Sequence, residues 1–170
     1  MKFLPKNSSA FTLVELLMAV GIIAIMTGIA IPNYLNKIRE QELKNGAQQV
    51  LTDIRRANVK AQTSIEGKGW FVKVKGDSGD YEVYKCTSPE ELVYSDTLSP
   101  NTLQFTSDKD LYFQKNTGIL VSGSCDSPTA LGSTVSITIK HTKINKCTEI
   151  NVSGSGTISY DETNAINSCP

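Results

Sequence analysis

A single acidic residue lies inside a long apolar segment near the start of this chain. Between Phe11 and Ile31 the only charged side chain is that of Glu15. At about 1.5 Å per residue, a helix of this length spans roughly 30 Å, the thickness of the hydrocarbon core of a bilayer. Burying a charge there costs about 2.5–3.5 kcal/mol on insertion scales, so Glu15 is a candidate functional residue that requires a partner.

Two ordinary targeting signals share part of this pattern. Lys2 and Lys6 make the first residues positively charged, which suits either a signal anchor or a secretory signal peptide. Residues 28–30, Gly-Ile-Ala, weakly imitate a small-residue cleavage site, and Pro32 follows closely. Neither signal explains an acid placed so soon after the polar leader. A signal anchor and a signal peptide are therefore kept only as alternatives.

The junction of MKFLPKNSSA with FTLVELLMAV resembles the N-terminus of type IV prepilins and type II secretion pseudopilins. In that family a prepilin peptidase cuts before a phenylalanine and the new N-terminus is methylated, which implies a leader of residues 1–10. The matching positions are Phe11, Thr12, Leu13, Glu15 and the helix proline Pro32. One departure is Ala10, because the family nearly always has glycine before the cut.

The resemblance also implies a partner for Glu15. Cleavage would leave a positive amine on Phe11, and in filaments of this family the glutamate of one subunit meets the amine of its neighbour. A buried carboxylate is tolerable when paired and costly alone. The other implied partners are further pilin or pseudopilin subunits, the prepilin peptidase, and an assembly platform with its cytoplasmic ATPase.

The composition argues against bulk affinity for nucleic acids. The 170 residues include 17 basic and 17 acidic side chains, and loss of the leader would remove Lys2 and Lys6. A chain this close to neutral can carry a local basic patch but not a generally basic surface. The length beyond residue 32 is sufficient for one modest domain.

Residues 33–66 are predicted to continue as an amphipathic helix. Apolar residues recur there at spacings of three and four, and the positions between them are polar. The apolar stripe consists of Leu43, Ala47, Val50, Leu51, Ile54, Ala57 and Ala61. Gly46 weakens this helix by about 1 kcal/mol relative to alanine without ending it. Gly67 and Gly69 predict that the helix ends between residues 64 and 69.

Residues 67–170 are predicted to form a β-rich domain. WFVKVKG and DYEVYKC read as one hairpin, and KCTEINVS and GTISYD as another. The other strand candidates are TLQF, LYFQ, GILVS and the alternating TVSITIKH. Residues 88–100 are expected to form a loop. The predicted fold class is therefore α+β, in which a long helix, transmembrane over residues 11–32, packs on an antiparallel sheet.

The C-terminal half resembles the pseudopilin H and FimT-like minor pilin branch of the same family. That branch has an arginine and alanine pattern near the end of its helix, as in IRRANVKAQ, and closes with a hairpin of pattern I-x-V-x-x-x-G-x-I. The positions that fit this hairpin are Ile150, Val152, Gly156 and Ile158. The resemblance implies the pilin fold and a minor subunit.

All the cysteines, Cys86, Cys125, Cys147 and Cys169, lie in the β-rich part. They show no CxxC spacing and the sole histidine is His141, so a zinc site is poorly supported. An oxidising compartment favours two disulfides, for which three pairings are possible. We favour Cys86–Cys125 with Cys147–Cys169, of which the second closes a loop worth about 3 kcal/mol. Buried free thiols are the alternative.

The sequence contains no recognisable catalytic or cofactor motif. His141 lies in a polar turn without a nucleophile pattern, and a histidine in such a turn is usually solvated. Two acidic pairs could contribute to a calcium loop, namely Asp77 with Asp80 and Asp108 with Asp110. Because EF-hand spacing is missing, turn aspartates are the simpler interpretation. We therefore expect a protein that is not an enzyme and has no cofactor or metal.

The sequence predicts a single-pass subunit of a type IV pilus or type II secretion pseudopilus, held in the inner membrane with its domain outside the cytoplasm. One alternative is a FimT-like tip pilin that binds DNA or a surface. Its candidate site is the basic cluster, defined as Lys140, His141, Lys143 and Lys146. The acidic tail lacks the arginine-rich ending expected of such a protein, so nucleic acid is not an expected partner. A membrane-anchored enzyme is the other alternative, and no site for it is found.

Overall fold

The computed structural model describes residues 11–63, 67–98, 102–122, 125, 129–160 and 169. The chain divides into two units, residues 1–38 and residues 39–170. One helix, α1 (Leu13–Gln62), contributes residues to both units. The predicted leader, including Ala10, and most of the predicted acidic tail lie outside the described residues.

In the first unit, α1 is apolar and its side chains are exposed. Its large apolar residues from Leu13 to Ile31 each expose between 51% and 74% of their surface. By length and composition this helix could cross a membrane, and it is the one such helix among the described residues. Pro32 lies inside α1, where it lacks the N–H that the carbonyl of Gly28 would otherwise accept.

In the second unit, α1 buries the apolar stripe that was predicted from its periodicity. Every residue of that stripe, from Leu43 to Ala61, is buried. The helix ends at Gln62, slightly before the predicted region, and residues 64–66 lie outside the described part. Gly46 allows a close approach, because a Cβ at this position would collide with the side chain of Leu103.

The described residues contain the following strands: β1 (Trp70–Val74), β2 (Asp80–Lys85), β3 (Glu91–Thr97), β4 (Leu103–Phe105), β5 (Lys109–Phe113), β6 (Leu120–Ser122), β7 (Thr129–Ala130), β8 (Val135–His141), β9 (Lys146–Val152) and β10 (Ile158–Tyr160). Sheet A has six strands in the order β3-β2-β1-β5-β6-β7. Sheet B has four strands in the order β10-β9-β8-β4. All the strand pairs are antiparallel.

One hydrophobic core joins α1 to both sheets. Sheet A contributes alternate residues of β1, such as Val72 and Val74, and sheet B contributes alternate residues of β8, such as Ile137 and Ile139. This period-2 pattern is what a sheet with one buried face requires. The core is therefore built from the same apolar periodicities that are visible in the sequence.

The predicted α+β arrangement is confirmed, with two corrections. Both predicted hairpins are present, as β1–β2 and β9–β10. The strands form two sheets rather than one. The expected loop over residues 88–100 was wrong, because Glu91–Thr97 forms β3 against β2. Nearly all of β3 is exposed, so its sequence lacks the alternation that marks a half-buried strand.

Candidate processing and assembly site

Thr12 and Glu15 form reciprocal hydrogen bonds at the start of α1. The Thr12 hydroxyl oxygen accepts a hydrogen bond from the Glu15 backbone N–H at 3.2 Å. Glu15 Oε2 accepts from both the backbone N–H and the hydroxyl of Thr12, each at 3.0 Å. This arrangement is a capping box, which satisfies N–H groups that a helix start otherwise leaves unpaired. The Thr-x-x-Glu spacing is the sequence signature of a capping box. From the sequence alone we inferred only a partner for Glu15 in a neighbouring subunit.

The capping box gives Glu15 polar partners within its own subunit. In hydrocarbon an unsatisfied polar group is costly, so each of these hydrogen bonds lowers the cost of holding the carboxylate there. Phe11 lies just before the cap and exposes 85% of its surface. A helix start with an accessible residue in front of it and a fixed carboxylate beside it suits both processing and pairing with an amine.

The other residues predicted for processing and assembly lie along the same segment. Leu13 begins α1, and Pro32 lies inside it, well beyond the capping box. Two polar side chains of this segment donate hydrogen bonds to backbone carbonyls of α1 itself. The Thr27 hydroxyl donates to the Ile23 carbonyl at 2.7 Å, and Asn33 Nδ2 donates to the Ile29 carbonyl at 3.4 Å. Internal satisfaction of polar groups is what a lipid-exposed helix requires.

His141 is buried, and the expectation of a solvated histidine was wrong. It exposes 3% of its surface, and its Nε2 lies 3.1 Å from Glu42 Oε2 on α1. Its Nδ1 accepts a hydrogen bond from the Lys143 backbone N–H at 3.1 Å. The tautomer that fits both contacts carries its hydrogen on Nε2, whose N–H donates a hydrogen bond to the Glu42 carboxylate. The sequence placed His141 in a turn, whereas it is the last residue of β8 and points inward.

The basic cluster is partly neutralised by acids of the same chain. Lys146 Nζ lies 2.7 Å from Glu40 Oε1, and Lys140 Nζ lies 3.8 Å from Asp77 Oδ1. Paired lysines are less available to phosphates, whose binding depends on free positive charge. This geometry disfavours the DNA-binding alternative.

Two of the aspartates considered for calcium accept hydrogen bonds from other parts of the fold. Asp108 Oδ1 accepts a hydrogen bond from the Gly76 N–H at 2.7 Å, and Asp80 Oδ1 accepts one from the Thr97 hydroxyl at 2.8 Å. The turn interpretation was wrong for Asp80, because this residue begins β2 and its bond to Thr97 joins β2 to β3. Within the described ranges no group of three or more His, Cys, Asp or Glu side chains is arranged to hold a metal ion.

Two disulfides cross the β-rich part, Cys86–Cys125 and Cys147–Cys169. Their Cα–Cα distances are 5.4 and 5.6 Å, within the usual range. These are the pairs favoured among the three possible pairings. Such bonds are rarely kept in the cytosol and persist mainly in oxidising compartments.

A hydrogen-bond network around the buried Asp53 of α1 was not anticipated from the sequence. Asp53 exposes 7% of its surface and accepts hydrogen bonds from the Tyr81 hydroxyl at 2.6 Å and from Arg56 Nη1 at 2.9 Å. Asp96 on β3 accepts one from Gln49 Nε2 at 2.8 Å. Burial, followed by the hydrogen bond to Asp53, raises the pKa of Tyr81. In the sequence Asp53 looked like one more polar position of an amphipathic helix.

Comparisons with known proteins gave one match to the N-terminal sequence and one match to the fold. A family model of the prokaryotic N-terminal methylation motif matches residues 5–31. The chain is also similar to the solved structure of the minor pseudopilin EpsH from the Type 2 Secretion System of Vibrio cholerae. The TM-score is 0.53 at 15% sequence identity, over 72% of this chain and 98% of that one. No curated protein sequence matches this chain.

The two matches concern different properties of the chain. At 15% identity the likeness to EpsH is a likeness of fold. The motif match is one of sequence, and it covers the capping box and the apolar part of α1. Motif and fold together support the type IV pilin and pseudopilin family.

Proposed function

We propose that this chain, which joins the methylation motif of the type IV prepilins to a pseudopilin fold, is a minor subunit of a pilus or pseudopilus filament. The observation that carries the proposal is the position of the motif. It places the Thr12–Glu15 capping box directly behind Phe11, at the start of an exposed apolar helix. Such a helix requires lipid before assembly and other helices after it.

Prepilin peptidase removes residues 1–10 and exposes the amine of Phe11 for methylation. Ala10 is small enough to be accommodated at the cleavage position, although glycine is usual there. The freed amine is positive, and it pairs with the Glu15 carboxylate of a neighbouring subunit in the filament. An ion pair shielded from water requires both partners, so Glu15 sets the register in which subunits add.

Before assembly the subunit is held by α1 in the inner membrane, with residues 39–170 outside the cytoplasm. The two disulfides support that side of the membrane. An assembly platform and its cytoplasmic ATPase extract the subunit into the filament. The role is structural, and we assign no catalytic activity or cofactor to the chain.

The mature N-terminus tests this function directly. We expect mass spectrometry of the protein purified from its native host to find N-methylated Phe11. An intact Met1 would contradict the proposal in favour of a signal anchor, and a start near Ile31 would indicate an ordinary secreted domain. The matched control is Ala10→Gly, which should give the same N-terminus at an equal or faster rate.

The role of Glu15 in register is tested by separating its charge from its capping function. Glu15→Leu removes both, whereas Thr12→Val removes the threonine hydroxyl and keeps the carboxylate. We expect Glu15→Leu to reduce incorporation into purified filaments at least about tenfold, which is about 1.4 kcal/mol. Thr12→Val should be incorporated much more efficiently than Glu15→Leu. Equal loss in both variants would mean that capping, and not pairing with the amine, is what assembly requires.

A further inference from the structure

Strand β3 is an edge of sheet A with one hydrogen-bonding side unoccupied by any described strand. It is the first strand in the order of the sheet and pairs only with β2. Seven residues long, it exceeds the other edge strands, which have three residues in β4 and β10 and two in β7. An edge of this length presents a row of N–H and C=O groups that can pair with another chain.

The residues of β3 protect this edge only in part. Natural edges are commonly blunted by lysine, proline or inward-pointing charge. Between Glu91 and Thr97 there is no lysine, arginine or proline. Leu92 and Val93 expose 50% and 41% of their surface. Two protective features are present: Asp96 faces the inner side, and a register shift leaves Val93 without a partner on β2. The pairing with β2 nevertheless continues on both sides of the shift.

An open groove lies beside the inner side of this edge. Its volume is about 610 Å³, and α1 lines it with polar side chains that include Asn45, Thr52 and Arg56. Tyr94 and Asp96 of β3 complete the wall. A strand added beyond β3 would direct alternate side chains into this groove, because strand side chains alternate between the two faces.

The outer side of the edge continues an apolar row. Leu92 pairs with Tyr84, Tyr84 with Phe71, and Phe71 with Tyr112 across four strands. The Phe71 ring stacks on the rings of Tyr84 and Tyr112, at centroid distances of 4.6 and 4.7 Å. The outward side chains of an added strand would extend this row, so apolar residues suit those positions.

We propose that β3 is a docking edge, to which an extended segment of a neighbouring filament subunit adds as a further strand of sheet A. The two sides define the partner: its side chains alternate between polar, facing the groove, and apolar, facing the row. A basic residue near one end complements Glu90 and Glu91, which are exposed at the start of β3. Main-chain hydrogen bonds supply affinity in such strand addition, and the alternating side chains supply specificity. Only the identity of the partner as a filament subunit rests on the proposed function.

A synthetic peptide tests the edge without knowledge of the natural partner. The probe is Lys-Thr-Val-Thr-Val-Thr-Val-Thr-Lys, and the control has the same composition with threonines and valines in separate blocks. Both are titrated into the ¹⁵N-labelled full chain in detergent micelles. We expect the alternating peptide to bind at least about tenfold more tightly and to shift the amide signals of residues 91–96. Equal binding of the control, shifts at β10 instead, or no binding at millimolar peptide would overturn the proposal.

Two matched pairs of variants test the geometry. In one peptide the backbone nitrogen of every valine is methylated, and in the other peptide that of every threonine is methylated. Because alternate N–H groups of a strand face one neighbour, one set should weaken binding about tenfold or more and the other set far less. On the protein, Val93→Lys should weaken binding about tenfold, whereas Val59→Lys, at a similarly exposed position on α1, should not. Equal effects within either pair would contradict strand addition.

These results are independent of the processing test. If Phe11 is the mature N-terminus and the peptide fails to bind, the docking edge is wrong and the filament function stands. If the peptide binds to β3 but Met1 is intact, the edge stands and a filament subunit is no longer its partner.

Discussion

The two units of this chain differ in what covers their apolar side chains. From Leu13 to Ile31 every large apolar residue is exposed, whereas the stripe from Leu43 to Ala61 on the same helix is buried against the two sheets. The first unit therefore leaves its large apolar side chains exposed, whereas the second unit buries them in its own core. One helix has both properties because its sequence changes after Pro32 from largely apolar to amphipathic.

Matched leucine substitutions should give the largest difference between the units. Leu43 exposes 2% of its surface and Leu17 exposes 63%. Leu43→Ala should lower the free energy of unfolding of residues 39–170 by about 2–5 kcal/mol, because it leaves a cavity. Leu17→Ala should leave that free energy unchanged. Urea unfolding in detergent, followed by the fluorescence of the single tryptophan, Trp70, measures both. A cost for Leu17→Ala comparable to that for Leu43→Ala would contradict the division into units.

The units also differ in the hydrogen bonds made by an asparagine side chain of α1, Asn58 in the second unit and Asn33 in the first. Asn58 is buried, and its Nδ2 donates to the carbonyls of Gly118 and Gly156 at 2.7 and 3.4 Å. Both glycines have positive φ, 67° and 81°, which other residues adopt at a cost. Asn58 thus fastens a turn from each sheet to the helix. Asn33 is exposed, and its side chain donates to the Ile29 carbonyl of its own helix.

Replacing each asparagine by alanine should separate these roles. Asn58→Ala removes the donor to the buried Gly118 carbonyl and to the part-buried Gly156 carbonyl, and should cost about 1–3 kcal/mol of unfolding free energy. Asn33→Ala should change it by less than about 0.5 kcal/mol. Thermal unfolding of both variants at one detergent concentration provides the measurement. A loss of less than about 0.5 kcal/mol in Asn58→Ala would mean that these turns are held without it.

The capping box should matter locally and not for the domain. Thr12→Val removes the hydroxyl that accepts from Glu15 and should cost the helix start about 1 kcal/mol. Thr12→Ser keeps the hydroxyl and is the control. Amide hydrogen exchange should become faster near residues 13–16 in Thr12→Val alone, while exchange in sheet A stays unchanged. Equal exchange in both variants would show that the cap does not hold the helix start.

The elements that the sequence predicted well are those with a clear period. The stripe of α1 and the alternation in β8 are local patterns, and both led to the correct element and the correct buried face. β3 was missed because an exposed edge carries no alternation. Asp53 and His141 were misjudged because the burial of a polar side chain depends on a distant partner, Tyr81 or Glu42, which no local pattern specifies. The spacing of the capping box was visible, but the likeness to prepilins directed attention to an external partner.

The smallest expected effect is a pH dependence confined to the second unit. Lys75 Nζ lies 2.7 Å from Glu82 Oε1, and this hydrogen bond, followed by one from Tyr84, lowers the pKa of Glu82. A carboxyl with a lowered folded pKa stabilises the fold above its unfolded pKa, and that contribution is lost as the pH falls through the folded value. Wild type should therefore exceed Glu82→Gln slightly in unfolding free energy at pH 6, and the difference should shrink as the pH is lowered toward 3. The control is Glu91→Gln, which leaves the pair of Lys75 and Glu82 intact. Its unfolding free energy should exceed that of Glu82→Gln by the same pH-dependent amount as the wild type does. A gap between wild type and Glu82→Gln that stays constant from pH 6 to pH 3 would mean that the pair does not couple protonation to folding.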